Sequence, residues 1–322
     1  MSALVISLDF ELFWGVTDSR TIQNYGANIA GVWQALPAML KLFQQYHIQA
    51  TWATVGMVMC KDFKHWSAIR PTIIPTYPRY SCNAYAFSAL ASDYPKLFFA
   101  PELVEQILAT DGQELASHTY SHFYCGEDGV TVDQFVADLD CTNRIFTDYA
   151  VKPTSIVFPR NQIVAPYLET LSNAGFNAYR GNQDHCWYRK GQLPRATYGK
   201  MLRLAKFSDA YLPLSGQHIS SLPNSIDARK LLNIPDSLFF RPASNYHLLN
   251  KLHLTRVKSG MLAAAKNNSM FHLWWHPHNF GVNLETNLNH LENILMYYQT
   301  LNHDYGMSTL SMTNLESSCR PH

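Results

Sequence analysis

The chain has 322 residues, 47% of them hydrophobic and 15% charged, with Lys+Arg 25 against Asp+Glu 24. That near balance removes the bulk attraction that a nucleic acid or an anionic membrane surface would require. The opening "MSALVISLDF" carries no basic leader and meets charge at Asp9, and no other apolar run is long enough to span a bilayer, so a cytoplasmic protein without a transmembrane segment is expected.

The first element, "ALVISLDF", is uninterrupted and rich in β-branched residues, as a strand buried on both faces should be. It runs into "ISLDFELFWG", where Asp9 and Glu11 interrupt an apolar stretch. Residues i and i+2 of an extended chain face the same way, so both carboxylates can reach one pocket, and keeping them there needs a metal, a cation or a shared proton. Asn28 is expected to cap a helix over "IAGVWQALPAMLKLFQQY", with Pro37 as a kink or restart, and "QATWATVG" returns to strand. Residues 61–100, dense in Pro and Tyr, read as an irregular excursion. "PELVEQILATD" is a helix with Pro101 in its first turn, and "QELASHTYSH" is a strand. Thr131 and Gln134 form a capping box ahead of "VDQFVADLDCTNRIFTDY", "SIVFPRNQ" is a strand, "APYLETLSNAGF" is a helix closed by Gly175, and "NAYRG" is a short strand. Residues 186–260 form a second irregular stretch. "MFHLWWHPHNF" and "TNLNHLENILMYYQTLN" read as a final strand and a final helix.

This alternation, with no break in composition, predicts one α/β domain over residues 1–322 with all strands parallel, either a barrel or a doubly wound sheet. The six cysteines, with no CxxC pair, read as free thiols.

The chemistry-bearing residues gather at strand ends, which is the ligand-binding edge of parallel α/β folds. His118 and His122, four apart, can aim both imidazoles at one point, a spacing that suits Zn²⁺, and a carboxylate from Asp9 or Glu11 would complete an open catalytic site while the other acts as base. The alternative for the two acids is a plain ion pair with Arg160 or Arg180. His276 and His278 flank Pro277 after a strand with two tryptophans, where a histidine can donate a proton near neutral pH. Arg160 reads either as a structural ion pair or as the group that holds Asp9 ionised.

Together, "SLDFEL", "SHTYSH", "FPRNQ" and "LWWHPH" resemble, in order, the motifs of the polysaccharide deacetylase family, carbohydrate esterase family 4 with its NodB-homology domain. The resemblance implies a distorted (β/α) barrel of about seven parallel strands. It implies Asp9 as general base, His276 as general acid, Arg160 tuning the base, and Glu11, His118 and His122 holding a divalent metal, Zn²⁺ first, with Co²⁺ or Ni²⁺ as alternatives. Trp275, His278 and Asn161 are expected to line the substrate. Two departures stand out: Phe10 occupies the slot of the family's second aspartate, with the acid one residue later, and "FPRNQ" reverses the usual arginine-before-proline order. The expected activity is removal of an N-acetyl or N-formyl group from an amino sugar, a precursor of surface glycan. The alternatives are a non-carbohydrate amide hydrolase, similar to allantoinase, and a carbohydrate-binding protein without turnover.

Overall fold

The computed structural model describes residues 1–188, 199–222 and 231–319. Its strands are β1 (Ala3–Phe10), β2 (Ala50–Thr54), β3 (Gln113–Ser117), β4 (Ser155–Ile156), β5 (Ala178–Gly181), β6 (Ser220–Ser221), β7 (Leu232–Pro235), β8 (Leu238–Phe239), β9 (Ser269–Trp275) and β10 (Ser308–Leu310). The helices are α1 (Ile22–Ala30), α2 (Val32–Gln45), α3 (Phe63–Ile69), α4 (Ser88–Asp93), α5 (Pro101–Leu108), α6 (Val132–Thr147), α7 (Ala165–Leu171), α8 (Gly199–Asp209), α9 (His247–Lys266), α10 (Leu284–Tyr305) and α11 (Met312–Ser318).

Strands pair in the order β9-β1-β2-β3-β4-β5-β7, and β8, which follows β7 after two residues, pairs back onto β9. The Asp236 amide donates to Gly181 O at 2.9 Å and the Ser237 amide to His272 O at 2.8 Å, so this one segment bridges the two ends of the sheet. The result is a nearly closed barrel with seven parallel positions, as the motif resemblance implied. One expectation fails: β6 runs antiparallel to β9, so the strands are not all parallel.

Alternation along the strands divides the barrel wall into two faces. Leu4, Ile6, Leu8 and Phe10 of β1, with Phe271, Leu273 and Trp275 of β9, join the large cluster under the helices. Val5, Ala53, Val157, Ala178, Ile234 and Met270 point to the axis, where Met312 and Leu315 of α11 plug the floor. Above that floor the inward positions turn polar: Arg180 donates to Ser7 Oγ at 3.0 Å, and Ser7 Oγ lies 2.8 Å from His272 Nε2.

Several boundaries correct the sequence reading. The first helix starts at Thr21, whose side chain accepts from the Asn24 amide, not at Asn28. The break between α1 and α2 falls at Gly31, where a Cβ would come 2.0 Å from Gly281 O, and Pro37 sits inside α2. The Thr131–Gln134 capping box is present. The stretch 61–100 holds α3 and α4, and 186–260, in its described part, holds α8, three short strands and the 20-residue α9. The buried stripe of α9 contains His253 and Arg256, so it does not read as an apolar stripe. β10 and α11 follow the helix expected to be last, and are short and polar in sequence.

His253 is held as a neutral imidazole: its Nδ1 lies 2.8 Å from Ala210 O, and its Nε2 accepts from the Arg241 amide at 3.0 Å. Burial, with help from nearby Arg241 and Arg256, pushes its pKa down to about 4. The folded-state pKa lies below the unfolded value, so the stabilisation is complete above about pH 6.5 and is lost as pH falls towards 4. Urea unfolding at pH 5 against pH 7 should show a loss of about 2 kcal/mol that a His253→Gln variant lacks.

Candidate metal centre and active site

Glu11 leaves the end of β1 with its Oε2 3.4 Å from His118 Nε2 and 3.1 Å from His122 Nε2. All three side chains are buried, and one donor atom from each lies within 4.8 Å of the others. Donors around a tetrahedral ion with bonds of about 2.1 Å stand about 3.4 Å apart, so two nitrogens and one oxygen are spaced to share a metal. His118 Nδ1 lies 2.8 Å from Val157 O, an arrangement that makes Nδ1 the donor and turns the Nε2 lone pair inward.

The two histidines converge through a tight loop and not a helical turn. Thr119 and His122 adopt φ of 62° and 56°, left-handed values that strain residues carrying a Cβ. Asp138, fully buried on α6, clamps this loop by accepting the amides of Tyr120 at 2.7 Å and Ser121 at 3.0 Å, together with the Ser121 hydroxyl. Gly15 leaves the room for Glu11, since a Cβ there would lie 1.9 Å from Glu11 Cδ. Only the end of a flexible side chain must move. Gly15→Ala should therefore change the unfolding midpoint little and weaken metal affinity at least about tenfold, as read by competition with a chromogenic chelator.

Asp9 forms a bidentate pair with Arg180, both N···O distances being 2.7 Å. Arg180 also donates to Asn161 Oδ1 at 2.9 Å and lies over the Trp274 ring at 4.3 Å. Burial alone would raise the Asp9 pKa, but the Arg180 guanidinium, together with His118 and His276, outweighs it and holds the carboxyl below its usual range. Glu11 is likewise opposed by burial, yet His276, His118 and His122 hold it well below that range. His276 Nε2 stands 3.8 Å from Asp9 Oδ2 and 3.6 Å from Glu11 Oε1. Asp9, Glu11, His118, His122 and His276, with Gly15, Arg160, Asn161 and Trp274, line a cavity of about 380 Å³.

The structure thus brings Asp9, Glu11, His118, His122, His276, Arg160 and Asn161 to one cavity, and it moves three expected roles. Arg160 lines the cavity but pairs with Asp18 and, at 3.6 Å, with Glu127; the guanidinium on Asp9 belongs to Arg180. Trp275 is fully buried on the outward face of β9 against Phe280 and Phe43, so it cannot meet a substrate, and Trp274 takes that position. His278 is buried behind His276, their rings stacked at 4.8 Å, with Tyr25 edge-on at 5.4 Å. Asn161 meets the cavity and also holds Arg180. Asp138, Trp274 and Gly15 carry no role in the sequence reading, and Arg180 enters it only as an alternative ion-pair partner of the two acids, which is the pair it makes with Asp9. For Arg180 and Trp274 the available signal was position, since both lie on the inward face near the C-terminal end of a strand.

A near-closed, mostly parallel barrel thus carries a two-histidine, one-carboxylate cluster at its C-terminal edge, where barrels of this kind place their ligands. The polysaccharide deacetylase family model matches residues 30–179, so the chain is similar to that family over this part of its length. Among solved structures, a chain described as a polysaccharide deacetylase from Mycobacterium smegmatis superposes with a TM-score of 0.62 at 12% identity, covering 99% of this chain and 90% of that one. One so described from Pseudomonas aeruginosa PAO1 gives 0.56 at 16%, covering 98% and 89%. PuuE allantoinase gives 0.56 at 12%, also covering 98% and 89%. No curated protein matches the sequence.

Proposed function

We propose that this chain, acting as a single catalytic unit, is a metal-dependent amide hydrolase that removes an N-acetyl or N-formyl group from an amino sugar. The observation that carries the reading is the Glu11–His118–His122 donor set beside an ionised, Arg180-bound Asp9 in one cavity. Glu11, His118 and His122 would hold the ion, Zn²⁺ first with Co²⁺ or Ni²⁺ as alternatives, and a bound divalent ion makes water acidic enough to attack a carbonyl at neutral pH. Asp9 takes the proton that water loses, and its depressed pKa keeps it in the basic form. His276, at the rim, gives a proton to the departing nitrogen, which an amine requires to leave. In balance, water adds to the carbonyl carbon, the C–N bond breaks, and the products are acetate or formate and the free amino sugar. A cytoplasmic surface-glycan precursor is the substrate this reading favours.

Elemental analysis of the purified chain, paired with acetate and formate release from N-acyl amino sugars, tests the reading. About one divalent ion per chain with acyl release is expected, whereas a chain with no ion and no release would sink it. The allantoinase superposition supports a second reading, hydrolysis of a non-carbohydrate amide, which release from allantoin but from no amino sugar would select.

A further inference from the structure

A second cavity of about 260 Å³ adjoins the catalytic one and shares Asn161 and Trp274 with it as walls. Its lining includes two cations, Lys206 and Arg241, neither of which pairs with a carboxylate among the described residues. Their contacts are instead with aromatic faces: Lys206 lies over Tyr188 at 5.1 Å, and Arg241 over Phe207 at 5.2 Å and Tyr211 at 5.6 Å. Arg241 Nε is buried without a hydrogen-bond partner, and burial lowers the Lys206 pKa, so both would gain from an anion. The backbone under them is built, since His253 ties Ala210 to Arg241. The one acid of the lining, Asp236, sits at the floor with Oδ1 unpartnered, as is Gln183 Oε1, and both are acceptors suited to sugar hydroxyls.

The helix that carries Lys206 also carries an exposed apolar face. Met201 is 72% exposed, Leu204 65% and Phe207 42%, and Leu212 and Leu214 follow at 48% and 58%. Single exposed apolar side chains are ordinary, but five within fourteen residues of α8 and the turn after it (201–214) are a patch that marks a contact surface. The patch begins where the cations end, because Phe207 itself touches Arg241.

We propose that this cavity and α8 bind the carrier end of the substrate: a phosphate held by Lys206 and Arg241, esterified to an apolar chain that lies along Met201, Leu204 and Phe207. The inference builds on the amide-hydrolase reading, which would place the acyl group at Asp9 and the carrier beyond Trp274. It is tested by binding alone, so the two can fail separately.

The probes are farnesyl phosphate, farnesol and inorganic phosphate, titrated into the full chain by calorimetry below the micelle concentration. Farnesyl phosphate should bind at least about tenfold more tightly than either of the others. The Lys206→Met, Arg241→Met double variant should erase its advantage over farnesol, and Met201→Ser with Leu204→Ser its advantage over inorganic phosphate. Equal binding of inorganic phosphate and farnesyl phosphate would overturn the proposal in favour of a soluble anionic substrate. Equal binding of farnesol would overturn the phosphate subsite. Both comparisons use the unmodified chain, so neither depends on how a variant folds. A chain that binds farnesyl phosphate as expected but never releases an acyl group would leave this proposal standing and remove the hydrolase reading.

Discussion

Glu11→Ala is expected to abolish stoichiometric metal binding and to lower amide hydrolysis roughly 10³-fold or more, while leaving chelator-treated protein no less stable than the parent. The two halves of this expectation separate a metal ligand from a structural ion pair. If Glu11 served to neutralise His118 and His122, truncating it would strand buried cations and cost about 3–5 kcal/mol. If it serves to hold a metal, the alanine removes the burial cost of the carboxylate together with its contacts to the imidazoles, and the two losses offset. Burial pushes the His122 pKa down, which favours the neutral imidazole that a metal ligand needs. Metal content by emission spectrometry, and urea midpoints in the presence of a chelator, decide between the two. An unfolding free energy lowered by several kcal/mol in the chelated variant would return Glu11 to the structural reading.

What was legible in the sequence depended on how local the determining physics is. The capping box at Thr131 and Gln134 needs only residues three apart, and it stands as read. Strand and helix alternation left a barrel and a doubly wound sheet open and the motif resemblance chose the barrel, while the acids of "ISLDFEL" followed from the two-residue period of a strand: Phe10 packs outward into the core while Asp9 and Glu11 meet in one cavity. The period was sufficient there and misapplied at β9. Trp274, not Trp275, shares the inward register of Met270 and His272, which the floor contact of Met270 reveals and the sequence alone does not. The long helix α9 stayed hidden because its buried face holds His253 and Arg256, whose partners come from residues some forty positions away in sequence. Arg180 was legible only as one of two candidate ion-pair partners of the acids, for a similar reason. Its bond to Asp9 spans the barrel axis, and only closure through β7 and β8 brings the two strands face to face.

Arg180→Met should be the second damaging change, and the contrast with Arg160→Met makes it informative. Asp9 and Arg180 are both buried, and removing the cation alone leaves a carboxylate in a low-dielectric interior, at a cost of about 3–5 kcal/mol. The sign for catalysis follows from the same balance. In the parent, Arg180, with His118 and His276, outweighs burial and depresses the Asp9 pKa, so Asp9 stabilises the fold above its unfolded pKa and that contribution is lost only on acidification. Without Arg180 burial is opposed only by His118 and His276, so the Asp9 pKa rises and the base is protonated over a wider range. The acid limb of the kcat/KM profile should therefore move to higher pH by at least about one unit, with kcat/KM at neutral pH reduced at least about tenfold. Arg160 holds Asp18 and Glu127 and lies over the Tyr124 ring, so Arg160→Met should leave that limb where it is. A shift in the Arg160 variant with none in the Arg180 variant would restore the assignment drawn from the "FPRNQ" motif. It would also mean that the salt bridge across the barrel axis orders the fold without setting the charge of the base.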